Sequence, residues 1–174
     1  MILIRKLNNK SPLIHKSAFI AENTYIVGDV EIGKNVSIWP GVIIRADSGK
    51  IIIGEGTNIQ DNSVIHSDGN AEIESFITIG HGVICHAKFI GKNTLLGNGC
   101  VVNNDASIGE NSLVASGSVI TNNAIFEPNS LIRGVPGKKI GRVNEKHIFM
   151  INSATQSYIK RIALYTESGL NLNK

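Results

Sequence analysis

Three histidines lie close together in the middle of the chain and could bind a divalent metal. His66, His81 and His86 are three of the five histidines in the sequence. Imidazole nitrogen binds zinc, iron and cobalt, and three histidine ligands leave a further position open to water. A water bound there ionises near neutral pH and becomes a nucleophile. A single histidine is usually only solvated, so the prediction depends on where the chain places all three.

Other polar residues precede the histidines. Arg45 and Asp47 come first, and Gln60 and Asp61 follow. An arginine and a carboxylate can form an ion pair, and a glutamine amide can hydrogen-bond a ligand of a metal ion. The alternative is that these are exposed polar residues that contribute little.

Apolar residues recur at every sixth position along most of the chain. These anchors are Ile14, Ile20, Ile26, Ile32, Ile38 and Ile44, then Ile53, Ile59, Ile65, Ile73, Ile79 and Cys85, then Ile90, Leu96, Val102, Ile108, Val114, Ile120, Phe126 and Ile132. A period of six fits neither an isolated helix nor an alternating strand, but it fits stacked triangular coils with three short strands each. We predict an all-β solenoid, a parallel β-helix of hexapeptide repeats, over residues 1–136. A β-sandwich enriched in Ile and Val by chance is the alternative.

Counting the anchors assigns each one to a face of the triangle. Face A holds Ile44, Ile65 and Cys85, face B holds Ile53 and Ile73, and face C holds Ile59 and Ile79. Between Ile44 and Cys85 the spacing of six is broken after Ile44, where it is nine, and after Ile65, where it is eight. We interpret both breaks as short loop bulges.

The face assignment predicts a metal site shared between subunits. His66 and His86 each follow a face A anchor on neighbouring coils, so their Cα atoms should be about 4.8 Å apart and both rings can reach one ion. His81 follows a face C anchor at another corner, where it cannot easily join this pair. In a trimer packed along its prisms, face C of one subunit approaches face A of the next. We therefore predict a site with two ligands from one chain and one from its neighbour.

The same count places the other polar residues. Arg45 lies one coil below His66, and Asp61 lies one coil below His81. An Arg45–Asp61 ion pair between subunits follows, with Asp47 on the same stretch as Arg45. The two remaining histidines, His15 and His147, lie far from this cluster, and we expect neither to bind metal.

The chain changes character after the last anchor. Gly134, Pro136 and Gly137 end the repeat. Residues 144–168 show the apolar spacing of a helix, and Gly169 follows as a candidate C-cap. We predict that residues 137–174 form a C-terminal helical segment that packs on the β-helix within a single domain.

Composition excludes several kinds of partner. The net charge is +3 and the basic residues are scattered, so we expect no nucleic-acid binding, which needs a clustered basic surface. No apolar run approaches the length of a membrane span, and the first residues lack the apolar region of a secretory signal. Two cysteines form no disulfide framework. We expect a cytoplasmic protein without an organic cofactor.

Three segments together resemble the gamma-class carbonic anhydrase family. They are Arg45-Ala46-Asp47, Asn58-Ile59-Gln60-Asp61-Asn62-Ser63-Val64-Ile65-His66 and Gly80-His81-Gly82-Val83-Ile84-Cys85-His86. The resemblance covers nearly the whole chain. It implies a homotrimer of left-handed β-helices with a divalent metal at each subunit interface, zinc being expected first and iron or cobalt as alternatives.

The resemblance also implies roles for individual residues. His66, His81 and His86 would be the metal ligands, and Gln60 would orient the metal-bound hydroxide. Arg45 and Asp61 would bridge subunits, with Asp47 in the same network. Tyr158 resembles a helix tyrosine that reaches the mouth of the active site in relatives, although a role in helix packing is equally open.

Two positions depart from the family pattern. The family places a glutamate directly after the Arg-x-Asp motif and an acidic loop after the first histidine, and both are associated with proton transfer. Here Ser48 occupies the first position, and the loop of residues 67–72 is short. Asp68, Glu72 or Glu74 could take over the proton, since ionising a bound water requires an exit route for it.

The resemblance implies reversible hydration of CO₂ to bicarbonate by a metal-bound hydroxide. One alternative is a hexapeptide-repeat acyltransferase, although such enzymes carry a long loop excursion and one catalytic histidine. The other is a metal-binding scaffold with weak catalysis, which the serine at position 48 keeps open.

Overall fold

A computed structural model describes residues 3–173 of the chain. These residues form a parallel β-solenoid of about seven turns with a C-terminal helix. The predicted fold class, a left-handed parallel β-helix of hexapeptide repeats, is thereby confirmed. The first two residues and the last residue of the predicted segments lie outside the described part.

Most strands are only two residues long, as expected for a coil that turns a corner every six residues. The strands are β1 (Ile4–Arg5), β2 (Leu13–Ile14), β3 (Phe19–Ile20), β4 (Tyr25–Ile32), β5 (Ser37–Ile38), β6 (Ile43–Ile53), β7 (Asn58–Ile59), β8 (Val64–His66), β9 (Ala71–Ile73), β10 (Thr78–Ile79), β11 (Ile84–Cys85), β12 (Phe89–Ile90), β13 (Leu95–Leu96), β14 (Val101–Val102), β15 (Ser107–Ile108), β16 (Leu113–Val114), β17 (Val119–Ile120), β18 (Ile125–Phe126), β19 (Ser130–Gly134) and β20 (Gly137–Arg142), and the helix is α1 (Glu145–Glu167).

The strand register confirms the three predicted faces. Ile44 pairs with Ile65, and Ile65 pairs with Cys85, all in parallel on face A. Faces A and B belong to one 12-stranded sheet because the long strands β4 and β6 turn the corner between them without a break, and face C is a separate eight-stranded sheet. Side chains that follow equivalent anchors therefore stack in columns along the prism.

The prediction of a loop after Ile44 is wrong, because strand β6 continues through this long spacing. The extra residues are absorbed by a register shift between Gly28 and Val30 in the pairing of β4 with β6. Gly28 is required there, because its φ is +89° and a Cβ would lie 2.0 Å from the carbonyl oxygen of Ala46. The next break does contain a loop, formed by residues 67–70 between β8 and β9.

The anchor side chains fill the inside of the prism. Ile26, Ile44, Ile59 and Ile79 are fully buried there, together with most of the other anchors. Each coil buries its inner residues against the coils above and below, so the stability of the prism accumulates from neighbour to neighbour. This stack holds the residues that follow each anchor at fixed positions on the outside.

Helix α1 covers the part of face C formed by β5, β7 and β10. Asn144 caps it in a capping box with His147, and Gly169, at a φ of +79°, follows its last turn. These limits agree with the helix predicted over 144–168. The helix packs Tyr158 and Tyr165 against Trp39.

A β-hairpin between the last coil and the helix was not predicted. Strand β20 pairs antiparallel with β19 and so covers the C-terminal edge of the face C sheet. No helix within residues 3–173 is long and apolar enough to cross a membrane.

Candidate metal centre

His66 and His86 lie next to each other on the outside of face A. Strands β8 and β11 pair through Ile65 and Cys85, so the residue after each anchor occupies the same column. The two imidazole rings are 4.6 Å apart between centroids, and His66 Nδ1 lies 2.5 Å from His86 Nε2. Two imidazole nitrogens, one from each ring, thus face each other on the outside of face A.

Asp47 holds the other side of the His66 ring. His66 Nε2 lies 2.9 Å from Asp47 Oδ1, and the second oxygen of this carboxylate accepts a hydrogen bond from Arg45. The bond to His66, together with the Arg45 guanidinium, lowers the pKa of Asp47 to about 2. A carboxylate accepts only, so His66 carries its proton on Nε2 and presents the lone pair of Nδ1 to His86.

Asp68 is the residue that the structure adds to this pair. Ligand atoms of His66, Asp68 and His86 all lie within 4.8 Å of one another. Asp68 is exposed and lies in the loop between β8 and β9. Sequence reasoning considered it only as a proton acceptor, because a two-residue offset from His66 does not show which way a loop side chain turns.

His81 lies apart from this group. Its Nδ1 is 3.0 Å from Asp61 Oδ2, and half of the His81 side chain is exposed. Within residues 3–173, His81 does not join the cluster of His66, Asp68 and His86. The predicted ion pair of Arg45 with Asp61 involves two chains and stays a prediction; in the single chain these residues pair with Asp47 and His81 instead.

Gln60 is buried and directly follows strand β7 on face C. Its Nε2 donates a 3.0 Å hydrogen bond to Asn58 Oδ1 on the same strand edge. Within residues 3–173, Gln60 Oε1 has no hydrogen-bond partner and can accept one.

Tyr158 reaches face C from helix α1. Its ring packs edge-on against Trp39 at 5.2 Å, and the guanidinium carbon of Arg161 lies 5.0 Å from the ring centre. Partial burial raises the pKa of Tyr158, and the charge of Asp61 adds to this effect. Tyr158 clearly packs the helix, and a role at the mouth of the site stays a prediction.

The remaining two histidines make local contacts. His15 Nδ1 lies 2.8 Å from the hydroxyl of Ser17, and His147 belongs to the capping box of helix α1. Neither belongs to the candidate metal cluster.

Fold and site together define a hexapeptide-repeat β-helix with a candidate metal centre on its outer face. The family model described as "Bacterial transferase hexapeptide (six repeats)" matches residues 11–46 and 88–122. The stretch between these two matches contains His66, His81 and His86. The site therefore lies between the two matched stretches.

Comparisons with known proteins agree with this picture. The chain is 41% identical over 165 residues to a carbonic anhydrase from Geobacillus kaustophilus, covering 94% of this chain and 91% of that protein. It is 43% identical over 150 residues to a probable carbonic anhydrase from Methanocaldococcus jannaschii, covering 85% and 94%. A crystal structure of a hexapeptide transferase family protein from Anaplasma phagocytophilum matches with a TM-score of 0.89 at 39% identity, covering 94% and 98%. The chain belongs to the gamma-class carbonic anhydrase-like family of hexapeptide-repeat proteins.

Proposed function

We propose that this protein catalyses the reversible hydration of CO₂ to bicarbonate at a metal centre formed by His66, His81 and His86. The observation that carries the proposal is the convergence of His66 Nδ1 and His86 Nε2 on one space. It is supported by the similarity of the chain to two proteins named carbonic anhydrases.

The donor atoms fit a divalent cation. One chain offers two imidazole nitrogens and the carboxylate of Asp68, and mixed nitrogen and oxygen ligands suit zinc, with iron or cobalt as alternatives. A cation of this kind, when bound, lowers the pKa of a coordinated water to about 7 and so supplies the nucleophile. Asp47 holds His66 with its lone pair turned toward this space.

We propose that the third histidine ligand comes from a neighbouring subunit of a homotrimer. His81 is half exposed and lies beside Asp61 rather than beside His66. A neighbour that brought its His81 to His66 would also bring its Asp61 to the exposed guanidinium of Arg45. The two contacts support each other because each pair occupies adjacent coils of its own chain.

An apolar column on face A supports assembly at this surface. Its members are the outward residues Tyr25, Ile43, Val64, Ile84, Val101 and Val119, which follow one another in register. Tyr25, Ile43 and Ile84 are each about two-fifths exposed. The column lies directly beside the column of Arg45, His66 and His86, and a continuous exposed apolar surface is typical of a protein interface.

Catalysis also requires a route for a proton, because CO₂ and water give bicarbonate and one proton in each turnover. Asp68 is exposed, and its carboxylate lies within 4.8 Å of ligand atoms of both histidines. We propose it as the first acceptor in a site that has Ser48 where the family places a glutamate. Tyr158 is proposed as a wall of the site mouth, held there by Trp39.

Two other functions remain candidates. An acyltransferase is suggested by the transferase family name of the similar Anaplasma phagocytophilum protein, but the loop beside the histidines here is only residues 67–70. A metal-binding scaffold with slow catalysis is suggested by Ser48. A cytoplasmic location is also proposed, since Cys85 and Cys100 are both free thiols.

Metal content and CO₂ hydration of the purified protein test the proposal. The wild type should contain stoichiometric metal and hydrate CO₂, and His86→Ala should lose both. His15→Ala is the matched control, since His15 lies outside the cluster. Full metal without hydration would favour the scaffold, and anaerobically purified protein without metal would remove the site itself.

The third ligand can be tested separately. Asp68 is the third donor that one chain offers by itself, whereas His81 requires a neighbour. If the neighbour supplies the ligand, His81→Ala loses most of the metal and Asp68→Asn keeps it while its turnover falls. The reverse pattern, loss of metal in Asp68→Asn alone, would assign the site to a single chain.

A further inference from the structure

A line of buried polar side chains connects Gln60 with helix α1. It passes from Gln60 to Asn58, then to Thr78 on the next coil, and ends at Thr155 on the helix. Asn58, Thr78 and Thr155 are at most 3% exposed. Buried polar groups are retained at a cost in free energy unless their hydrogen bonds are satisfied, so the direction of each bond in this line can be worked out.

At the helix end of the line, the Thr155 hydroxyl contacts two backbone carbonyls and the Thr78 hydroxyl. Thr155 Oγ1 lies 3.2 Å from the carbonyl oxygen of Ile151 and 3.3 Å from that of Phe76. Carbonyl oxygens only accept, so the single hydroxyl proton of Thr155 is donated to one of them. We therefore assign Thr155 Oγ1 as the acceptor in its 3.2 Å contact with Thr78 Oγ1, where the geometry allows either hydroxyl to donate.

The orientation of both amides follows from this end together with a backbone carbonyl beside Asn58. Thr78 has used its proton, so its oxygen accepts the 2.9 Å hydrogen bond from Asn58 Nδ2. The same Asn58 nitrogen faces the carbonyl oxygen of Ile77 at 3.3 Å. Asn58 Oδ1 is thereby turned toward Gln60 and accepts from its Nε2. Gln60 is left with its carbonyl oxygen Oε1 as the free end.

We propose that Thr78 and Thr155 are positioning residues that keep Oε1 of Gln60 turned toward the attacking water; this rests on the proposed function. The oxygen and nitrogen of an amide are nearly equal in size, so sterics do not prevent a flip and only hydrogen bonds choose the orientation. Oε1 accepts a hydrogen bond from the water, so the lone pairs of the water oxygen stay free to attack CO₂. Nε2 in the same place would donate a hydrogen bond to those lone pairs. The helix thus takes part in the chemistry without contacting the substrate.

Thr155→Val tests this coupling, because valine keeps the shape and removes the hydroxyl. Thr78 would then lose its acceptor, and its proton would compete for Asn58 Oδ1. We expect kcat/KM for CO₂ hydration to fall about fivefold, the effect of losing one ordinary hydrogen bond, with unchanged metal content. Thr155→Ser should restore the wild-type value. Thr94→Val is the control, because Thr94 is buried just before β13 and its hydroxyl bonds only the backbone of Gly109 and Ser112.

A double-mutant cycle separates positioning from general stability. If Thr155 acts through Gln60, Thr155→Val has no further effect on kcat/KM in a Gln60→Ala background. An equal fall in both backgrounds, or no fall in the wild-type background, would overturn the proposal.

Side-chain amide exchange of Gln60 by NMR gives an answer that does not depend on activity. The Gln60 amide proton donated to Asn58 should exchange slowly in the wild type and faster in Thr155→Val. In Thr94→Val it should exchange as slowly as in the wild type. If the wild type does not hydrate CO₂, the proposed function fails while this result still supports the positioning role. Equal exchange in wild type and Thr155→Val would contradict it.

Discussion

Asp47 and His86, on either side of the His66 ring, determine which ring nitrogen carries the proton. Asp47 accepts at one ring nitrogen, at 2.9 Å, and His86 lies 2.5 Å from the other. Asp47 is itself held by Arg45, and its pKa of about 2 keeps it an acceptor at any physiological pH. A metal ligand with a fixed tautomer loses less freedom on binding, so this arrangement prepares His66 for a cation.

We therefore predict that Asp47→Asn weakens metal binding by about 10- to 100-fold, the usual effect of removing the acceptor behind a histidine ligand. The reason is that an amide can turn its nitrogen toward His66 and favour the wrong tautomer. Competition with a chelator of known affinity measures the change. Asp29→Asn is the control, because Asp29 pairs with Lys10. Equal affinity in both variants would show that Asp47 has no influence on the ligand.

Sequence reasoning reached the stacking of these side chains but not their contacts. The period of six gives the column of Arg45, His66 and His86, since it depends only on counting anchors, and the strand register agrees. The bond between Asp47 and His66 depends on how β6 continues beyond the anchor, where the repeat is interrupted. Asp68 was missed as a neighbour of both histidines for the same reason, because loop residues follow no period.

At the scale of elements, helix α1 connects the two ends of the molecule. After the helix, Asn171 Oδ1 accepts from the backbone nitrogen of Ile20 at 2.9 Å, and the backbone nitrogen of Leu172 donates to the Ile20 carbonyl at 2.8 Å. These bonds satisfy the exposed edge of the face C sheet at β3. The tail thus covers one edge of that sheet and strand β20 covers the other, which protects the sheet from pairing with other chains.

Asn171→Ala should lower the free energy of unfolding by about 1–3 kcal/mol, because it leaves the buried Ile20 nitrogen without an acceptor. Urea denaturation followed by circular dichroism measures this. Asn173→Ala is the comparison, since Asn173 donates to the carbonyl oxygens of His15 and Ala18, and both carbonyls keep another donor, the Ala18 nitrogen for His15 and Asn171 Nδ2 for Ala18. A smaller loss in Asn171→Ala than in Asn173→Ala would contradict the assigned role of the tail.

The helix was predictable and the hairpin before it was not. Asn144 and Gly169 are local signals for the two helix ends, and both occur where the sequence indicates. Strand β20, by contrast, contains two glycines and two adjacent lysines, residues that disfavour strands in isolation. It forms because the open edge of β19 offers hydrogen bonds, which is a tertiary effect that no local pattern reports.

At the scale of the whole molecule, the prism isolates both cysteines from solvent. Burial raises the pKa of Cys85 to about 11 and that of Cys100 to about 12. Both thiols therefore stay protonated and unreactive near neutral pH. We predict that a thiol reagent at pH 8 labels neither cysteine in the native protein and labels both in urea. Rapid labelling of the native protein would show that the prism opens.

The central claim is that His66 and His86 share a metal with His81 of a neighbouring subunit, and mixed trimers test it directly. His81→Ala and His86→Ala chains are unfolded together, refolded and reloaded with zinc. The account predicts one intact site in each mixed trimer, and so measurable bound zinc, whereas either variant alone binds almost none. Mixed trimers that bind no more zinc than the separate variants would contradict a site shared between subunits.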